Sequence, residues 1–560
     1  MKVIKLLIII IFIHMLFPYY IYGDDSIPKS YFVKPIAVLC DYPFNEINKW
    51  VVTCRTWGLL KYFHPNVSAG KFDWDKVLID KLDKIHDATT SEQINAELMQ
   101  LIRLAGEHEL QRDSTWNDSL NMNVNLCWLD NSFICDSIKS ALRKIASLPN
   151  IASSYYIPIE GVSDIYIPKE KDYGKDVITD YKYRLISLFR YWNVIYYFYP
   201  YKYLMDQSWD ATLSEFIPQF LSAFDVPSYY EVVNILGTRL NDGHGFTTKS
   251  IGYNQFTFKF ITLIDSSTII RKPPKGSLLK VGDIILSIDK KDIRTIRDSL
   301  SVMVASSNKH FSDNAVNGII LFRSIMSGCI LTVLRNQQEL TLNEPRKPYS
   351  NLYETTTHLP FYEISQNIAY VNLDTLKKTE IPSLMDSIKK YKGVIFDLRN
   401  YPLQYDDWDL FCYLTSTQEY CYALGYLVDT SHYGAFYKSE SFTKCPDDLW
   451  ENRSLYNGKV AVLINASTMS WAETRAMNFR INGFTLIGPP TAGANGGAVR
   501  LFLPGDIIAL YTSYGFGFPD GTQTQRKGII PDIEVYPTIN DIMESRDEVI
   551  EAAITYINSN

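Results

Sequence analysis

The first half of the chain is patterned for helices. Apolar residues recur at every third or fourth position through two long stretches, which stop before Pro65 and Pro200, where a helix cannot readily continue. These stretches cover residues 48–63 and 184–198, and each is followed by two shorter ones, at 74–86 and 91–105 and again at 209–222 and 228–240. The pattern predicts two groups of three helices, with a further helix near 133–147 and a linker rich in Pro, Tyr and Lys at 157–180.

The second half changes from helical spacing to strands. Between Phe256 and Glu344 the clearest segment runs from Leu278 to Asp289, where a Gly-Asp turn leads into an alternating strand and a second Asp turn. From Gln366 onward the two patterns alternate, with strands at 367–373, 392–397 and 458–465 and helices at 380–390 and from 471 to about 482. This order predicts a small β domain followed by an α/β domain.

The two helical groups are copies of one sequence element. Trp57 matches Trp192 at an offset of 135 residues, and the same offset relates Tyr62-Phe63-His64-Pro65 to Tyr197-Phe198-Tyr199-Pro200 and Trp74-Asp75 to Trp209-Asp210. With one residue inserted, His108 in the first copy corresponds to His244 in the second. Because His108 lacks the Asp-Gly turn that precedes His244, we interpret the first copy as a decayed duplicate with a structural role.

Composition excludes several classes of protein. A formal net charge of −7 without basic clusters argues against a nucleic-acid partner. With 46% hydrophobic and 21% charged residues the chain is globular, and we assign most of its 14% aromatic residues to packing between the repeated helices. A carbohydrate-active protein fits poorly, because the aromatic residues follow helix-packing spacing and no paired acid motif stands out.

The N-terminus predicts export. Lys2 and Lys5 precede an apolar run from Leu6 to Phe17, and a small residue, Gly23, stands before an acidic pair, which together describe a secretory signal peptide over residues 1–23. An uncleaved anchor is the alternative, because the stretch from Leu6 to Tyr22 is close to the lower length limit for a spanning helix. No other segment is apolar for long enough to span a bilayer, so we expect a periplasmic or secreted protein.

The eight cysteines are too few for a disulfide-dense scaffold, and no CxxC pair supports a zinc site. Bridges between Cys412 and Cys421 or between Cys127 and Cys135 are compatible with an oxidising compartment, and buried free thiols fit the sequence at least as well.

A hydroxyl side chain stands where a predicted strand passes into a helix. The strand at 458–465 leads through a short turn to Ser470, and the helix follows directly. The free N–H groups of a helix N-terminus can stabilise an oxyanion, which suits a nucleophile at this point. On position alone, an ordinary helix N-cap is the commoner role for such a serine.

Four motifs in this order resemble the tail-specific, or C-terminal-processing, serine peptidases and their tricorn-like branch. They are Asp397-Leu-Arg-Asn-Tyr-Pro402, Ser470-Trp-Ala-Glu473, Ile487-Gly-Pro-Pro-Thr-Ala-Gly-Ala-Asn-Gly496 and Gly528-Ile-Ile-Pro-Asp-Ile-Glu-Val535. The corresponding family patterns, in the same order, are D-L-R-G-N-P-G-G, S-x-S-A-x-E, G-x-x-T-x-G-K-G and G-I-x-P-D. The segment from Leu278 to Asp289 resembles a strand of PDZ domains, which bind chain ends at a sheet edge. The peptidase resemblance covers residues 366–540.

This resemblance implies a multidomain α+β fold. We expect a signal peptide at 1–23, a first helical module with its linker at 24–165 and a second helical module at 166–250. A PDZ-like β domain would follow at 251–345 and a tail-specific protease core of α/β type at 346–560.

Carried over by motif, the resemblance makes Ser470 the nucleophile. The backbone N–H groups of Trp471 and of the turn at Asn400 and Tyr401 would then stabilise the oxyanion. The lysine base of the family falls at Asn495, whose amide cannot accept a proton from serine, so a serine–lysine pair is excluded there.

The tricorn-like branch uses a histidine instead, and Asn241-Asp-Gly-His244 resembles its motif. An imidazole has the pKa that a serine needs in its base, which makes His244 the expected base. The acidic residue that supports this histidine in the branch falls at about Gln525, whose carbonyl would orient the ring without compensating its charge. Glu473 is carried over as a further supporting residue.

The expected function is that of an exported serine peptidase acting on peptides or unfolded protein segments, without a metal or an organic cofactor. The sequence leaves the natural substrate and the oligomeric state open. The alternative is a catalytically weak or inactive peptide-binding protein on the same scaffold, which the absent lysine and the amide at position 525 motivate.

Overall fold

The computed structural model describes residues 40–107, 121–122, 124–148, 154–157, 159–160, 164–165, 170–247, 254–255, 261–264, 267–273, 276–317, 323–324, 328–345, 361–402, 408–429 and 433–559. They all fall within one compact unit. The predicted signal peptide at 1–23 and His108 lie outside the described residues. No helix in the described ranges is both long and apolar enough to cross a membrane.

The N-terminal part is helical. Its helices are α1 (Asn48–Phe63), α2 (Pro65–Ser68), α3 (Trp74–Asp87), α4 (Ser91–Leu104), α5 (Asp136–Ala146), α6 (Tyr181–Phe198), α7 (Trp209–Ser222) and α8 (Val226–Thr238). Three short strands lie between them, β1 (Asn121–Met122), β2 (Ile159–Glu160) and β3 (Asp164–Ile165). Helices α1 and α6 are buried over almost their whole length, which explains why they are apolar on every side.

Contacts in this helical part recur at the offset of 135 residues. The indole N–H groups of Trp57 and Trp74 each donate to the other residue's carbonyl at 3.1 Å. Trp192 and Trp209 make the same exchange at 2.8 and 2.9 Å. Each exchange joins the first long helix of a group to the next helix, so the paired tryptophans serve packing.

The two helical groups also exchange charged partners. Arg55 of α1 pairs with Asp210 of α7, and Arg190 of α6 pairs with Asp75 of α3. Positions 55 and 190, and positions 75 and 210, are again 135 residues apart. Equivalent positions also meet each other where α1 crosses α6, since the rings of Tyr62 and Tyr197 lie 5.5 Å apart. This reciprocity is the pattern of a two-fold interface.

A small β domain follows. Its strands are β4 (Asn254–Gln255), β5 (Ile261–Ile264), β6 (Ser267–Ile270), β7 (Ile284–Ile288), β8 (Lys291–Asp292), β9 (Arg323–Ser324), β10 (Gly328–Arg335) and β11 (Gln338–Pro345), and its helices are α9 (Ile293–Ser301) and α10 (Lys309–Ala315). The main sheet is antiparallel in the order β11-β10-β7-β6-β5, and β8 pairs with β7. Its core is small and aliphatic.

The C-terminal α/β core has a six-stranded sheet in the order β12-β13-β14-β17-β18-β21. These strands are β12 (Phe361–Ser365), β13 (Ile368–Asn372), β14 (Gly393–Asp397), β17 (Lys459–Leu463), β18 (Thr485–Gly488) and β21 (Ile533–Glu534), all parallel except the edge strand β12. Helices α11 (Ile381–Ile388), α12 (Asp409–Cys412), α13 (Asp447–Asn452), α14 (Trp471–Ile481), α15 (Ile539–Glu544) and α16 (Glu548–Asn558) complete it. Alternate strand residues pack toward α14 on one face and toward α16 on the other.

A second sheet links this core to the helical part. Its strands β15 (Glu419–Val428), β16 (Ala435–Lys444), β19 (Gly496–Leu503) and β20 (Ile507–Gly517) lie in the order β1-β16-β15-β20-β19. The carbonyl of Phe502 in β19 accepts a hydrogen bond from Arg190 of α6 at 3.0 Å. Residues from β19 and β20 share one apolar core with the helices.

The disulfides differ from both predicted pairings. Cys40 bonds to Cys127, and Cys412 bonds to Cys445. Cys135 and Cys421, which the sequence offered as partners, are free thiols. The prediction paired cysteines that are close in sequence. The observed bonds join cysteines 87 and 33 residues apart, which only the fold brings together.

Candidate active site

Ser470 stands at a strained turn between β17 and α14. Its backbone has φ 55° and ψ −122°, a conformation that costs a residue with a Cβ about 1–3 kcal/mol. Its side chain makes no capping hydrogen bond to α14, so the N-cap role does not describe this serine. The hydroxyl is partly exposed and donates to the Gly496 carbonyl at 3.5 Å. The turn therefore keeps the hydroxyl clear of the helix cap, at the strand-to-helix position where hydrolases of other folds carry a nucleophile.

Glu473 holds the neighbouring loop against this turn. Its carboxylate is fully buried in the first turn of α14 and accepts the backbone N–H groups of Gly493 and Ala494 at 2.9 and 2.8 Å, as well as the Thr491 hydroxyl. The Ala494 carbonyl in turn accepts the N–H of Ser470 at 2.8 Å. Burial raises the pKa of Glu473 to about 7, although the three donors act in the opposite direction. Glu473 thus supports Ser470 through the loop.

His244 lies on the turn that follows α8 and is 4% exposed. Its Nδ1 is 3.0 Å from the hydroxyl oxygen of Thr512 in β20 and 3.5 Å from a carboxylate oxygen of Asp242. Thr512 also lies beside Gly496, because a Cβ built on that glycine would come within 2.7 Å of the threonine methyl. The Gly496 carbonyl is the acceptor for Ser470, so Ser470 and His244 both contact the same end of the β19–β20 hairpin.

The turn at Asn400 and Tyr401 comes directly after β14. The carbonyl of Leu398 accepts the Thr468 hydroxyl at 3.0 Å, which ties this turn to the loop that ends at Ser470. Both segments therefore lie at the same edge of the parallel sheet, beyond the carboxyl ends of β14 and β17.

Aromatic rings surround the start of α14. Trp471 packs edge-on against Trp408 at 5.4 Å between ring centroids. The guanidinium of Arg475, one turn along the helix, lies 4.0 and 4.4 Å from these two rings. This stack is a cation–π arrangement that fixes the first turn of the helix behind Ser470.

Two of the positions identified by motif carry buried amides. Asn495 is buried, accepts the Thr474 hydroxyl at 2.9 Å and brings no amine to the site. Gln525 is also buried, but neither atom of its amide has a hydrogen-bond partner among the described residues. The expectation that Gln525 orients His244 by a hydrogen bond is therefore wrong, because Thr512 occupies that place.

The sequence did not reveal Thr512 and Asp242 as neighbours of the His244 ring. Asp242 was visible, since it precedes the histidine by two residues in Asn-Asp-Gly-His. Thr512 carried no local signal, because it lies in a strand 268 residues further along the chain.

One segment of the β domain touches three loops of the site. The hydroxyl of Ser307 accepts the N–H of Gly243 at 2.8 Å. The amide of Asn308 donates to the Thr491 carbonyl at 2.9 Å, and that of Asn314 donates to the Ser467 hydroxyl at 2.7 Å. The β domain thus helps to fix the loops that precede His244 and Ser470.

Comparisons with known proteins show a likeness to peptidases. Residues 367–535 match the model of peptidase family S41. No curated protein sequence matches the chain. The structure of mature CPAF complexed with lactacystin aligns at 12% identity over 69% of this chain and 100% of its own, with a TM-score of 0.51. A mutant of CPAF aligns at 12% identity over 69% and 99%, with a TM-score of 0.54. The photosystem II D1 C-terminal processing protease aligns at 13% identity over 63% and 93%, with a TM-score of 0.39.

At 12% identity the likeness to CPAF shows a shared fold. The family model matches a narrower part of the chain, which contains β13 to β21, Ser470, Glu473 and the turn at Asn400. Residues 367–535 are therefore a serine-peptidase segment similar to peptidase family S41.

Proposed function

We propose that this protein is an exported peptidase that hydrolyses peptide bonds in peptides or unfolded protein segments, with Ser470 as nucleophile and His244 as base. The observation that carries the proposal is the strained, uncapped turn at Ser470, placed beside a hairpin end that also anchors His244. Strained backbone in a folded protein is concentrated at functional sites, which favours a chemical role for this serine.

The reaction would proceed through an acyl-enzyme. The Ser470 hydroxyl rotates away from Gly496 and transfers its proton to Nε2 of His244 while Oγ attacks the scissile carbonyl. The backbone N–H groups of Trp471 and of the turn at Asn400 and Tyr401 are the proposed donors to the oxyanion. His244 then returns the proton to the leaving amine. Water next attacks the acyl carbonyl while the same ring takes its proton, and the ring gives that proton to Oγ of Ser470 as the Oγ–acyl bond breaks.

Export rests on the N-terminal pattern at residues 1–23, and two disulfides fit an oxidising compartment. We assign the chain, by proposal, to two duplicated helical modules at 24–165 and 166–250, a PDZ-like domain at 251–345 and the peptidase core at 346–560. In this arrangement the second module supplies the base and the core supplies the nucleophile.

A second candidate is a peptide-binding protein that turns over slowly or not at all. It is favoured by the Ser470 hydroxyl, which points to Gly496 instead of His244, and by an amide at position 525. The two candidates differ in whether the serine becomes acylated.

The test uses Ser470→Ala and His244→Ala with denatured casein as substrate and a fluorophosphonate as active-site probe. We expect each variant to lose cleavage and Ser470→Ala to lose labelling, whereas His64→Ala, which removes a buried imidazole from the first module, should keep both. Robust cleavage by Ser470→Ala would refute the mechanism. A folded wild-type protein that binds casein without cleavage or labelling would support the binding candidate.

A further inference from the structure

His244, the proposed base, forms a buried hydrogen-bonded group with Thr512 and Asp242, and the Tyr199 hydroxyl also donates to Oδ2 of Asp242 at 3.3 Å. The Thr512 hydroxyl donates to Oδ2 of Asp242 at 2.5 Å, and its oxygen lies 3.0 Å from Nδ1 of His244. The other carboxylate oxygen, Oδ1, accepts the backbone N–H of His244 at 3.0 Å. Asp242 and Thr512 are fully buried, so solvent does not compete for these bonds.

Counting protons in this group fixes the tautomer of the histidine. Burial alone would raise the pKa of Asp242, but hydrogen bonds from His244 and Thr512 hold it below its ordinary value, so the carboxylate is ionised and can only accept. The single hydroxyl proton of Thr512 therefore points to Asp242. The lone pairs of the Thr512 oxygen are then what faces His244, and Nδ1 must carry the ring proton. A neutral imidazole with its proton on Nδ1 has a free lone pair on Nε2, which is the state a general base requires.

The same carboxylate opposes the charge that forms during the reaction. When Nε2 takes the proton of Ser470, Nδ1 keeps its own and the ring becomes positive. Oδ1 of Asp242 lies 3.5 Å from Nδ1, within reach of a direct electrostatic contact in a buried setting.

We propose that Thr512 and Asp242 are positioning residues that hold His244 in its basic tautomer and compensate the imidazolium, since position 525 carries a glutamine and no acidic side chain. The inference rests on the proposed function of His244. It assigns a Ser–His–Thr–Asp sequence in which a hydroxyl stands between the imidazole and the carboxylate. Asp242 remains ionised throughout, as the carboxylate of a serine-peptidase triad does.

The substitution Asp242→Asn should reverse the ring's tautomer. Because Oδ1 of Asp242 accepts the backbone N–H of His244, the new amide must place its oxygen there and its NH2 group against Thr512. Thr512 then accepts from the amide and donates its own proton to Nδ1, which leaves the ring proton on Nε2. A ring in that state cannot accept the proton of Ser470.

The experiment compares kcat/KM for a casein-derived peptide across Asp242→Asn, Thr512→Val and Thr512→Ser. We expect a loss of about 10³–10⁴-fold for Asp242→Asn, as carboxylate-to-amide changes produce in serine-peptidase triads. Thr512→Val should lose about 10–100-fold, because Asp242 can still approach Nδ1 directly, and Thr512→Ser should stay within about 3-fold of wild type. Thr268→Val, an equally buried strand threonine of the β domain, is the matched control and should keep its activity.

Two further readouts separate positioning from a merely structural effect. In ¹⁵N spectra of histidine-labelled protein, His244 should carry its proton on Nδ1 in the wild type and on Nε2 in Asp242→Asn. The acid limb of the pH profile should move to lower pH in Asp242→Asn, because removal of a negative charge disfavours the imidazolium. The other titratable groups that act on this cluster are Glu473 of α14, Tyr191 of α6, Tyr199 and Tyr201 of the following turn, and Arg526, and all are retained in these variants.

An Asp242→Asn protein that keeps its rate, its acid limb and its Nδ1 proton would overturn the inference, and so would a Thr512→Ser protein as impaired as Thr512→Val. Failure of the proposed function looks different: the wild type would then neither cleave nor label. The tautomer measurement needs no turnover and would still decide whether Thr512 and Asp242 hold the ring.

Discussion

Raising the pH from about 4.5 to about 7 should weaken the packing of helix α14 through one buried carboxyl group. The pKa of Glu473 is about 7 in the folded protein because burial penalises its charged form, and its ordinary value is 4.5. Between these two values the folded state binds more protons than the unfolded state, so stability falls as pH rises. The stabilising contribution is complete below about pH 4.5 and is lost by about pH 7. The difference of about 2.5 units corresponds to about 3 kcal/mol.

The assay is hydrogen exchange by mass spectrometry on peptides from α14, which gives a free energy of opening at each pH after correction for intrinsic rates. Glu473→Gln cannot ionise, so the wild-type opening energy minus that of the variant should fall by about 3 kcal/mol over the interval. The NH2 group of the new glutamine faces a backbone N–H of the loop at 493–494, and neither can accept a hydrogen bond from the other. This lowers the stability of the variant by about 1–3 kcal/mol at every pH. Glu344→Gln, which alters another buried carboxyl group that accepts a backbone N–H, is the control and should leave α14 unchanged. A flat difference curve for Glu473→Gln would refute the reasoning.

Three further predictions concern stability. Ser470→Gly should be more stable than Ser470→Ala by about 1–2 kcal/mol in urea unfolding, since glycine adopts a positive φ without strain. Equal stability of the two variants would show that the backbone at this position is not strained. Arg399→Lys should cost about 1–3 kcal/mol and expose α16 to limited proteolysis, because the guanidinium bonds Asp547 through Nη1 at 3.0 and 2.8 Å and Asp397 through Nε and Nη2, and one ammonium cannot bridge both carboxylates in this way. Unchanged proteolysis would argue against this pairing. Replacing Cys412 and Cys445 together by serine should lower the unfolding free energy by about 3–4 kcal/mol for a separation of 33 residues, and reduction of the wild type should reproduce the loss.

Local signals in the sequence located most helices and the parallel strands. The predicted helices at 48–63 and 209–222 have the bounds observed, because a proline follows the first and Ser208 caps the second. The strand predicted at 392–397 is apolar over its whole length since it is buried on both faces, as β14 is. The turn at Ser470 could be predicted as well, because it follows the buried strand β17 after a short loop.

Long-range pairing could not be predicted in the same way. Strand β15 of the second sheet pairs with β20 from about 90 residues further along, and nothing near either strand in the sequence indicates this partner. The partner of His244 was missed for that reason, because Thr512 reaches the ring only through this sheet. A motif can mark a catalytic side chain, but its supporting contacts depend on which distant strand lies behind it.

Arg55 pairs with Asp210 and Arg190 pairs with Asp75, so the two helical groups contact each other as the subunits of a dimer do. Each half is completed by a carboxylate of the other, and a buried guanidinium deprived of such a carboxylate costs several kcal/mol. Arg190 also pairs with Glu170 at 2.6 Å, whereas Arg55 pairs with Asp210 of the other half. A chain that ends at residue 165 should therefore need the missing fragment added in trans before it refolds. Helices α1 to α4 contribute no described residue to the proposed site, yet by this reasoning they stabilise the helices that lead to His244.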